Sequence, residues 1–293
     1  MTEIPFTFRC ADDELAGIVS LSERPSDVPA VLIVVGGPQY RSGSHRQFTL
    51  LARDLAGRGI PAMRFDYRGM GDSQGALRTF EAIGDDIRAA IDALVERVPT
   101  VRRVVLWGLC DAASAVLFYA WRDARVAGVA LLNPWVYTPE GDARTRLRHY
   151  YGRRLLSLDL WKRMLTGNAD VAGSVASLWT TVTAAVAGRA RTAAVPAPTD
   201  ASVPDRRPPL PDRMADALGR LDVPVLLVLS GNDLVARQFT ACVAASRRWQ
   251  RLLASPRVTR REMPDATHTF STRAWRDEIA AWTAEWCATL AEP

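Results

Sequence analysis

Residues 104–115 read VVLWGLCDAASA, an apolar run that turns at a glycine into an alanine-rich segment. The run 104–107 predicts a buried strand, and the residues after Cys110 predict a helix. Gly108 and Ala112, two positions before and after Cys110, are small enough for the sharp strand-to-helix turn of a nucleophile elbow. Unpaired amides at a helix N-terminus favour a thiolate. The stretch therefore predicts a nucleophilic Cys110, and the alternative is a small buried cysteine.

Apolar runs of four to eight residues alternate with segments of helical periodicity in both halves of the chain. This alternation is typical of a mostly parallel central sheet with helices on both faces, so we predict an α/β fold. Helical spacing places apolar residues on one face of the segments 48–55, 80–98 and 275–290, and Ser44 with Gln47 forms a predicted capping box. The predicted strands span residues 18–21, 31–35, 62–65, 104–107, 126–132 and 225–229.

Composition narrows the classes of function. The 293 residues are 48% hydrophobic, with a mean hydropathy of −0.04 and a net charge of +5 that comes almost entirely from scattered arginines. We therefore expect no nucleic-acid partner, and the absence of a long apolar run predicts no membrane span. Four cysteines without a C-x-x-C pair predict neither a zinc site nor a disulfide framework, and the N-terminus lacks the pattern of a secretory signal. These features favour a cytoplasmic protein.

The alternation of strands and helices breaks between about Thr138 and Arg220. This segment contains arginine-rich helical patterns and a proline-rich connector, and strand-like sequence resumes after it. We predict a core formed by 1–137 and 221–293, with 138–220 inserted as a helical lid over the strand ends. Aromatic residues of the insertion such as Trp161 are candidates for lining a pocket, and the alternative is that they form a small core of their own.

A cysteine nucleophile needs a base, and the chain has three histidines. His268 follows the strand-like run 258–263, so it emerges at the same sheet edge as Cys110 if that strand is parallel. His149 lies in the predicted insertion, and His45 is a candidate pocket residue. Asp233, just beyond the strand 225–229, is the preferred carboxylate to orient the histidine, and Asp265 is the local alternative.

The order nucleophile, acid, histidine, together with RGMGDS at 68–73 after a predicted strand, resembles the α/β-hydrolase superfamily. The resemblance covers about 16–137 and 221–290. More narrowly, the chain is similar to the exosortase A system-associated hydrolase 1 family, which implies a cytoplasmic hydrolase with a cysteine nucleophile. A cysteine elbow also occurs in the similar dienelactone hydrolases and polyhydroxyalkanoate synthases, so hydrolysis and acyl transfer both stay open. The stretches that carry the narrower resemblance are 35–41, 43–47, 108–115 and 230–234.

The superfamily resemblance also implies an oxyanion hole beside the elbow. Its usual loop donor follows a His-Gly pair, but here Gly-Gly precedes Pro38, which has no N–H to donate. The predicted donors are the amide of Asp111 and one amide from Gly37, Gln39 or Tyr40.

These residues predict a hydrolase that cleaves an ester or thioester through a Cys110 acyl-enzyme, with no metal or organic cofactor required. The alternatives are an acyltransferase that passes the acyl group to an amine, thiol or alcohol, and a non-catalytic binder with the same fold. The expected partner is a small acyl ester or thioester, with acyl-coenzyme A and acyl carrier protein among the candidates. The predicted pocket residues are His45, Trp135 and Trp161.

Overall fold

One mostly parallel sheet organises the residues that the computed structural model describes, which are 1–24, 26–37, 39–136 and 207–291. Within these ranges the strands lie in the spatial order β1-β2-β4-β3-β5-β6-β7-β8. Strands β4, β3 and β5 to β8 pair in parallel, whereas β2 is antiparallel to both β1 and β4. The strands are β1 (Thr2–Cys10), β2 (Asp13–Leu21), β3 (Ala30–Val34), β4 (Ala62–Phe65), β5 (Val104–Leu109), β6 (Val126–Leu132), β7 (Val225–Ser230) and β8 (Val258–Met263).

Helices cover both faces of this sheet. The first and last described helices, α1 and α7, pack on one face, and α2, α3 and α4 pack on the other. The helices are α1 (Gln47–Gly57), α2 (Gly84–Arg97), α3 (Asp111–Ala120), α4 (Leu210–Gly219), α5 (Leu234–Ala245), α6 (Arg247–Leu253) and α7 (Arg273–Ala288), with 3-10 turns at Ser44–Arg46 and Phe80–Ala82.

The central strands are buried on both sides. In β3, Val31 and Ile33 pack toward α1 and α7, while Leu32 and Val34 pack toward α2 and α3. Because both faces are covered, such a strand reads as an unbroken apolar run rather than as an alternating one. The predicted α/β architecture, with helices on both faces of a mostly parallel sheet, is confirmed.

The N-terminal hairpin differs from the sequence expectation. The chain forms β1 where no strand was predicted, and β2 begins at Asp13 rather than near residue 18. Most side chains of β1 are exposed or half-buried because this strand lies at the edge of the sheet. The opposite edge is β8, where Arg260, Arg261 and Glu262 are exposed.

The predicted capping box at Ser44 is wrong, because α1 begins only at Gln47. Gly43, His45 and Arg46 all have positive φ angles, so the chain makes a 3-10 turn before the helix. The Ser44 amide donates instead to the Gln39 side-chain oxygen at 3.1 Å.

Core packing resumes with α4, whose Met214 and Leu218 are fully buried against the rest of the core. This helix begins about ten residues before the core boundary at 221 that the sequence predicts. The predicted lid otherwise lies almost entirely outside the described residues, as do Trp161 and His149. None of the described helices is both long enough and apolar enough to cross a bilayer.

Candidate active site

Cys110 occupies the turn between β5 and α3 with φ 64° and ψ −125°. A positive φ is strained for any residue with a side chain, and the surrounding structure has to hold it in place. The Cys110 amide donates to the Leu132 carbonyl at 2.9 Å, and its carbonyl accepts from Ala113 at 3.1 Å and Trp135 at 3.2 Å. These bonds on both sides of the turn fix the elbow that the sequence predicts.

Small residues are required around this elbow. A methyl group added at Gly108 would lie 2.6–2.7 Å from backbone atoms of Ala112 and Ala113. One added at Gly36 would lie 2.7 Å from the Leu109 carbonyl oxygen and closer still to the Asp111 carboxyl group. The first turn of α3 is therefore clamped between β5 and the loop after β3.

The predicted stabilisation of a Cys110 thiolate is wrong for this resting structure. Burial, and to a smaller extent the neighbouring Asp111 carboxylate, raise the pKa of the Cys110 thiol to about 12. The Asp111 amide hydrogen-bonds to the sulfur and lowers the pKa, as expected at a helix N-terminus, but this effect is smaller. Cys110 is therefore a protonated thiol that needs a base at the moment of attack.

His268 and Asp233 form a direct pair, with 2.9 Å between His268 Nδ1 and Asp233 Oδ2. Asp233 is also the N-cap of α5, because its carboxylate accepts from the amides of Val235 and Ala236. Burial raises the pKa of Asp233, but His268 and the two cap amides outweigh burial and hold that pKa below its usual value. The carboxylate is thus ionised and held by a helix end as well as by the histidine.

The candidate residues meet at the carboxyl ends of three parallel strands. Cys110 follows β5, Asp233 follows β7 and His268 follows β8. The charge of Asp233 raises the pKa of Cys110, and the charge of His268 lowers the pKa of Asp111. These side chains therefore lie close enough to interact electrostatically. The structure thus places the Cys110 thiol at the sheet edge that also carries the paired imidazole and carboxylate of His268 and Asp233.

The other residues that the sequence offers are not part of the His268–Asp233 pair. Asp265 is exposed in the loop before His268, and the carboxylate paired with the imidazole belongs to Asp233. His45 is exposed on the 3-10 turn before α1. Trp135 lies beside the elbow, where its carbonyl accepts from the Ser114 hydroxyl at 2.7 Å.

The loop after β3 carries the predicted oxyanion donors. Gly37 has φ 62°. Its amide hydrogen-bonds to the Asp111 carboxyl group and lowers the pKa of Asp111, which places that amide beside the elbow. Gln39 turns its side chain toward Ser44, and Tyr40 is exposed with its carbonyl accepting from Gly43. Pro38 itself lies outside the described residues. Gly37 is therefore the predicted donor whose amide lies beside the elbow, where it bonds to the Asp111 carboxyl group.

A buried carboxylate anchors the same loop. Asp66, at the end of β4, is fully buried and accepts from the Arg41 amide at 2.5 Å and from the Arg41 guanidinium. The guanidinium also reaches the exposed Asp72. The loop that leads from Gly37 to α1 is thus tied to the neighbouring strand.

We expect Asp66→Ala to lower the free energy of unfolding by about 3 kcal/mol, because it leaves the partly buried Arg41 without its main partner. Asp72→Ala is the matched control, and it should cost less than about 1 kcal/mol since Asp72 is 70% exposed. Urea denaturation measures both variants. Equal losses in the two would contradict the anchoring role of Asp66.

Sequence reasoning missed Asn133, which follows β6 with φ 45° and is fully buried. Its Nδ2 donates to Ser230 Oγ at 2.8 Å and to the His268 carbonyl at 3.1 Å, and its Oδ1 accepts from the Ser230 amide at 2.8 Å. The Ser230 hydroxyl continues to the Thr267 carbonyl at 3.1 Å. Asn133 therefore ties the His268 loop to β7. An asparagine directly after a buried strand is the one signal that pointed to it.

We expect Asn133→Ala to lower the free energy of unfolding by about 2 kcal/mol, because it leaves buried groups of Ser230 unpaired. Amide hydrogen exchange should also accelerate in the loop 264–270. The exposed neighbour Asn232 gives the control Asn232→Ala, which should change neither measurement. Glycine adopts a positive φ without strain, so Asn133→Gly loses the side-chain hydrogen bonds but adds no backbone strain. Faster amide exchange in this variant therefore reports the lost hydrogen bonds alone. Unchanged exchange in both Asn133 variants would contradict the assignment.

The described residues hold no group of three histidine, cysteine, aspartate or glutamate side chains placed to bind a metal ion.

Comparisons with known proteins agree with this architecture. A family model described as the alpha/beta hydrolase family matches residues 31–282. An esterase from Pyrococcus furiosus is similar in structure with a TM-score of 0.64 at 14% identity, covering 99% of this chain and 92% of the esterase chain. Est1E from Butyrivibrio proteoclasticus, solved with ferulic acid bound, has a TM-score of 0.63 at 16% identity, covering 97% of this chain and 98% of its own.

The proline iminopeptidase of Mycobacterium smegmatis has a TM-score of 0.62 at 18% identity, covering 98% of this chain and 99% of its own. No curated protein matches the chain by sequence. At these identities the structural likeness establishes a shared fold. The matched range of the family model contains both the elbow and the loop that carries His268.

Proposed function

Because the chain belongs to the alpha/beta hydrolase family, we propose that it cleaves an ester or thioester through a covalent acyl-enzyme on Cys110. The observation that carries this proposal is the His268–Asp233 pair, 2.9 Å apart, at the sheet edge where the strained Cys110 turn lies. A thiol, a base and an orienting carboxylate are the parts that nucleophilic acyl chemistry requires.

The first half of the reaction forms the acyl-enzyme. With Nδ1 bonded to Asp233, the second ring nitrogen of His268, Nε2, is the one available to accept the proton of the Cys110 thiol. The sulfur attacks the carbonyl carbon, and the carbonyl oxygen takes the negative charge. The amides of Asp111 and Gly37, which bond to the Cys110 sulfur and to the Asp111 carboxyl group before substrate binds, then hold that oxygen instead. Collapse of the intermediate expels the alcohol or thiol, which takes the proton back from His268.

The second half releases the acid. His268 removes a proton from water, the resulting hydroxide equivalent attacks the thioester, and Cys110 leaves with the proton. The Asp233 carboxylate stabilises the imidazolium in both halves and holds the ring in one tautomer. Its capping bonds to α5 keep that carboxylate in place before substrate arrives.

Within the family we place the chain among the exosortase A system-associated hydrolases. The support is the run GLCDAASA at 108–115 together with GGPQYR at 36–41 and SGNDL at 230–234. A cytoplasmic location is supported by the four cysteines, all of which are free thiols.

Intact-protein mass spectrometry tests the proposal directly. Wild type, Cys110→Ala and Cys242→Ala are exposed briefly to short- and medium-chain p-nitrophenyl esters, and p-nitrophenol release is followed in parallel. We expect an acyl adduct in wild type and Cys242→Ala that is missing in Cys110→Ala and that decays in water. If neither adduct nor release occurs in wild type, or if the adduct persists in Cys110→Ala, the assignment of the nucleophile fails.

The same experiment decides for or against acyl transfer. The observation that favours transfer is the cysteine itself, because a thioester intermediate reacts readily with amines and thiols. An adduct that is stable in water but is discharged by an added amine, thiol or alcohol would identify an acyltransferase. In that case acyl-coenzyme A and acyl-loaded carrier protein are the donors to examine.

A further inference from the structure

Asp111 carries a carboxyl group that the mechanism above does not use. Only the backbone amide of this residue has a role there, and its side chain turns back against the loop after β3. A methyl group at Gly36 would lie 2.3 Å from Asp111 Oδ1, so Gly36 leaves the space that the carboxyl group fills. The carboxyl group is therefore packed between the elbow and the loop after β3.

This carboxyl group is incompletely paired. Its Oδ1 is inaccessible to solvent and has no hydrogen-bond partner among the described residues. Burial raises the pKa of Asp111, although the amides of Gly37 and Ala112 and the charge of His268 oppose that rise. A buried polar oxygen without a partner is costly, so its presence calls for an explanation.

The two fully buried aspartates Asp66 and Asp86 are paired with arginine. Asp86 accepts three hydrogen bonds from Arg68, each 2.9 Å long, and Asp66 is paired with Arg41. In both cases the negative charge meets a guanidinium within the fold. Asp111 has no ion-pair partner among the described residues, and its charge acts on Tyr67 and Cys110 instead.

The charge of Asp111 works against attack on a neutral ester. It raises the pKa of Cys110 and lies beside the amide of Gly37, where the oxyanion forms. A cation placed next to this carboxylate would remove both penalties, because it neutralises the charge that opposes thiolate and oxyanion.

Resting on the proposed function, we propose that Asp111 is a specificity-determining residue that selects esters or thioesters carrying a protonated amine three or four bonds from the scissile carbonyl carbon. The amine supplies the cationic partner that the carboxyl group of Asp111, a partly buried residue, lacks among the described residues. Substrate binding then neutralises this carboxylate and relieves its effect on Cys110 in the same step. The substrate class is thus an amino-substituted acyl compound rather than a plain alkyl ester.

Two matched substrate pairs test this inference by their kcat/KM. The acyl pair is a β-alanyl and a butanoyl thioester of one thiol, and the alcohol pair is 2-aminoethyl and propyl butanoate. In at least one pair, wild type should prefer the amine by about tenfold or more, as expected for a close charge pair. Asp111→Asn should reduce that preference to within about twofold, whereas Asp265→Asn, which removes an exposed carboxylate near the site, should keep it.

The pH dependence of Cys110 alkylation gives a second measurement that does not require turnover. The pH at the midpoint should be lower in Asp111→Asn than in wild type. In wild type, β-alaninamide should also lower this midpoint, whereas butanamide should leave it unchanged. If Asp111→Asn does not fold, Asp111→Ser replaces it in both measurements. No preference for the amine in either pair, or a preference that survives the loss of Asp111, overturns the inference.

Failure of this inference is distinguishable from failure of the proposed function. A butanoyl adduct on Cys110 without any preference for the amine leaves the acyl-enzyme proposal standing and removes the role of Asp111. If no substrate acylates the protein, calorimetry on Cys110→Ala compares β-alaninamide with butanamide. The role of Asp111 is supported if β-alaninamide binds at least about tenfold more tightly than butanamide and Asp111→Asn removes this difference. Equal or undetectable binding of the two compounds overturns the role.

Discussion

We expect Cys110→Ala to lower the kcat of ester cleavage by about 10⁴- to 10⁶-fold, as when the nucleophile of a catalytic triad is removed. We expect that no other cysteine can replace Cys110, because the attacking sulfur has to lie at the strained turn after β5. The fold should survive, since alanine fits the small space and the elbow is held by backbone bonds to Leu132, Ala113 and Trp135.

Cys242→Ala is the control for this variant. Cys242 is a half-buried thiol on α5 whose burial raises its pKa to about 11, so it resembles Cys110 in chemistry but not in position. Its loss should change kcat less than twofold. Thermal unfolding of both variants reports the fold, and comparable kinetic losses in the two would remove Cys110 from the mechanism.

Asp233→Asn should give the second large effect, a fall in kcat of about 10⁴-fold, which is the size of loss known for the equivalent change in a serine protease triad. The amide offers His268 Nδ1 an N–H in place of an acceptor and so favours the wrong tautomer. Asparagine is as good an N-cap as aspartate, so α5 should keep its start and the free energy of unfolding should change little. Activity and stability are thereby separated in one variant.

Asp265→Asn is the matched control, because Asp265 lies three residues from His268 and is exposed. Its kcat should stay within about twofold of wild type, and a larger loss than in Asp233→Asn would transfer the orienting role to Asp265. His268→Ala should match the loss in Cys110→Ala. Steady-state kinetics with one activated ester measures all of these variants.

The pairing of Asp233 also sets its response to acid. Its pKa is lower in the folded protein than in the unfolded chain. The stabilisation from this pair is therefore complete above the unfolded pKa and is lost as the pH falls through the folded value. Protonation of Asp233 consequently does not limit activity until the pH falls below the usual range of an aspartate.

The sequence predicted those parts of the fold that leave a local pattern. The central strands are buried on both faces, so runs such as 126–132 and 62–65 match β6 and β4 residue for residue. Strand β1 was not predicted, because an edge strand with exposed side chains contains no unbroken apolar run. The start of α1 was misplaced because positive φ angles at His45 and Arg46 replace the capping box.

The site was predictable where its signals are local. Gly108 and Ala112 indicated the turn at Cys110, and the ends of strand-like runs indicated Asp233 and His268. The role of Asn133 was not predictable, because its partners Ser230 and His268 are 97 and 135 residues away. The pKa of Cys110 was misjudged for a similar reason, since a helix N-terminus is visible in sequence but the burial that outweighs it is not.

The charged side chains of β8 have a consequence for how copies of the folded protein meet at high concentration. An open strand at a sheet edge offers unpaired backbone groups that a second chain can extend, which is a common route to aggregation. On β8, Arg260 and Glu262 form an ion pair at 2.5 Å, and Arg261, whose side chain leaves the opposite face of the strand, is also exposed. An added strand would have to desolvate these charges, so this edge resists fibre-like stacking of one molecule on the next.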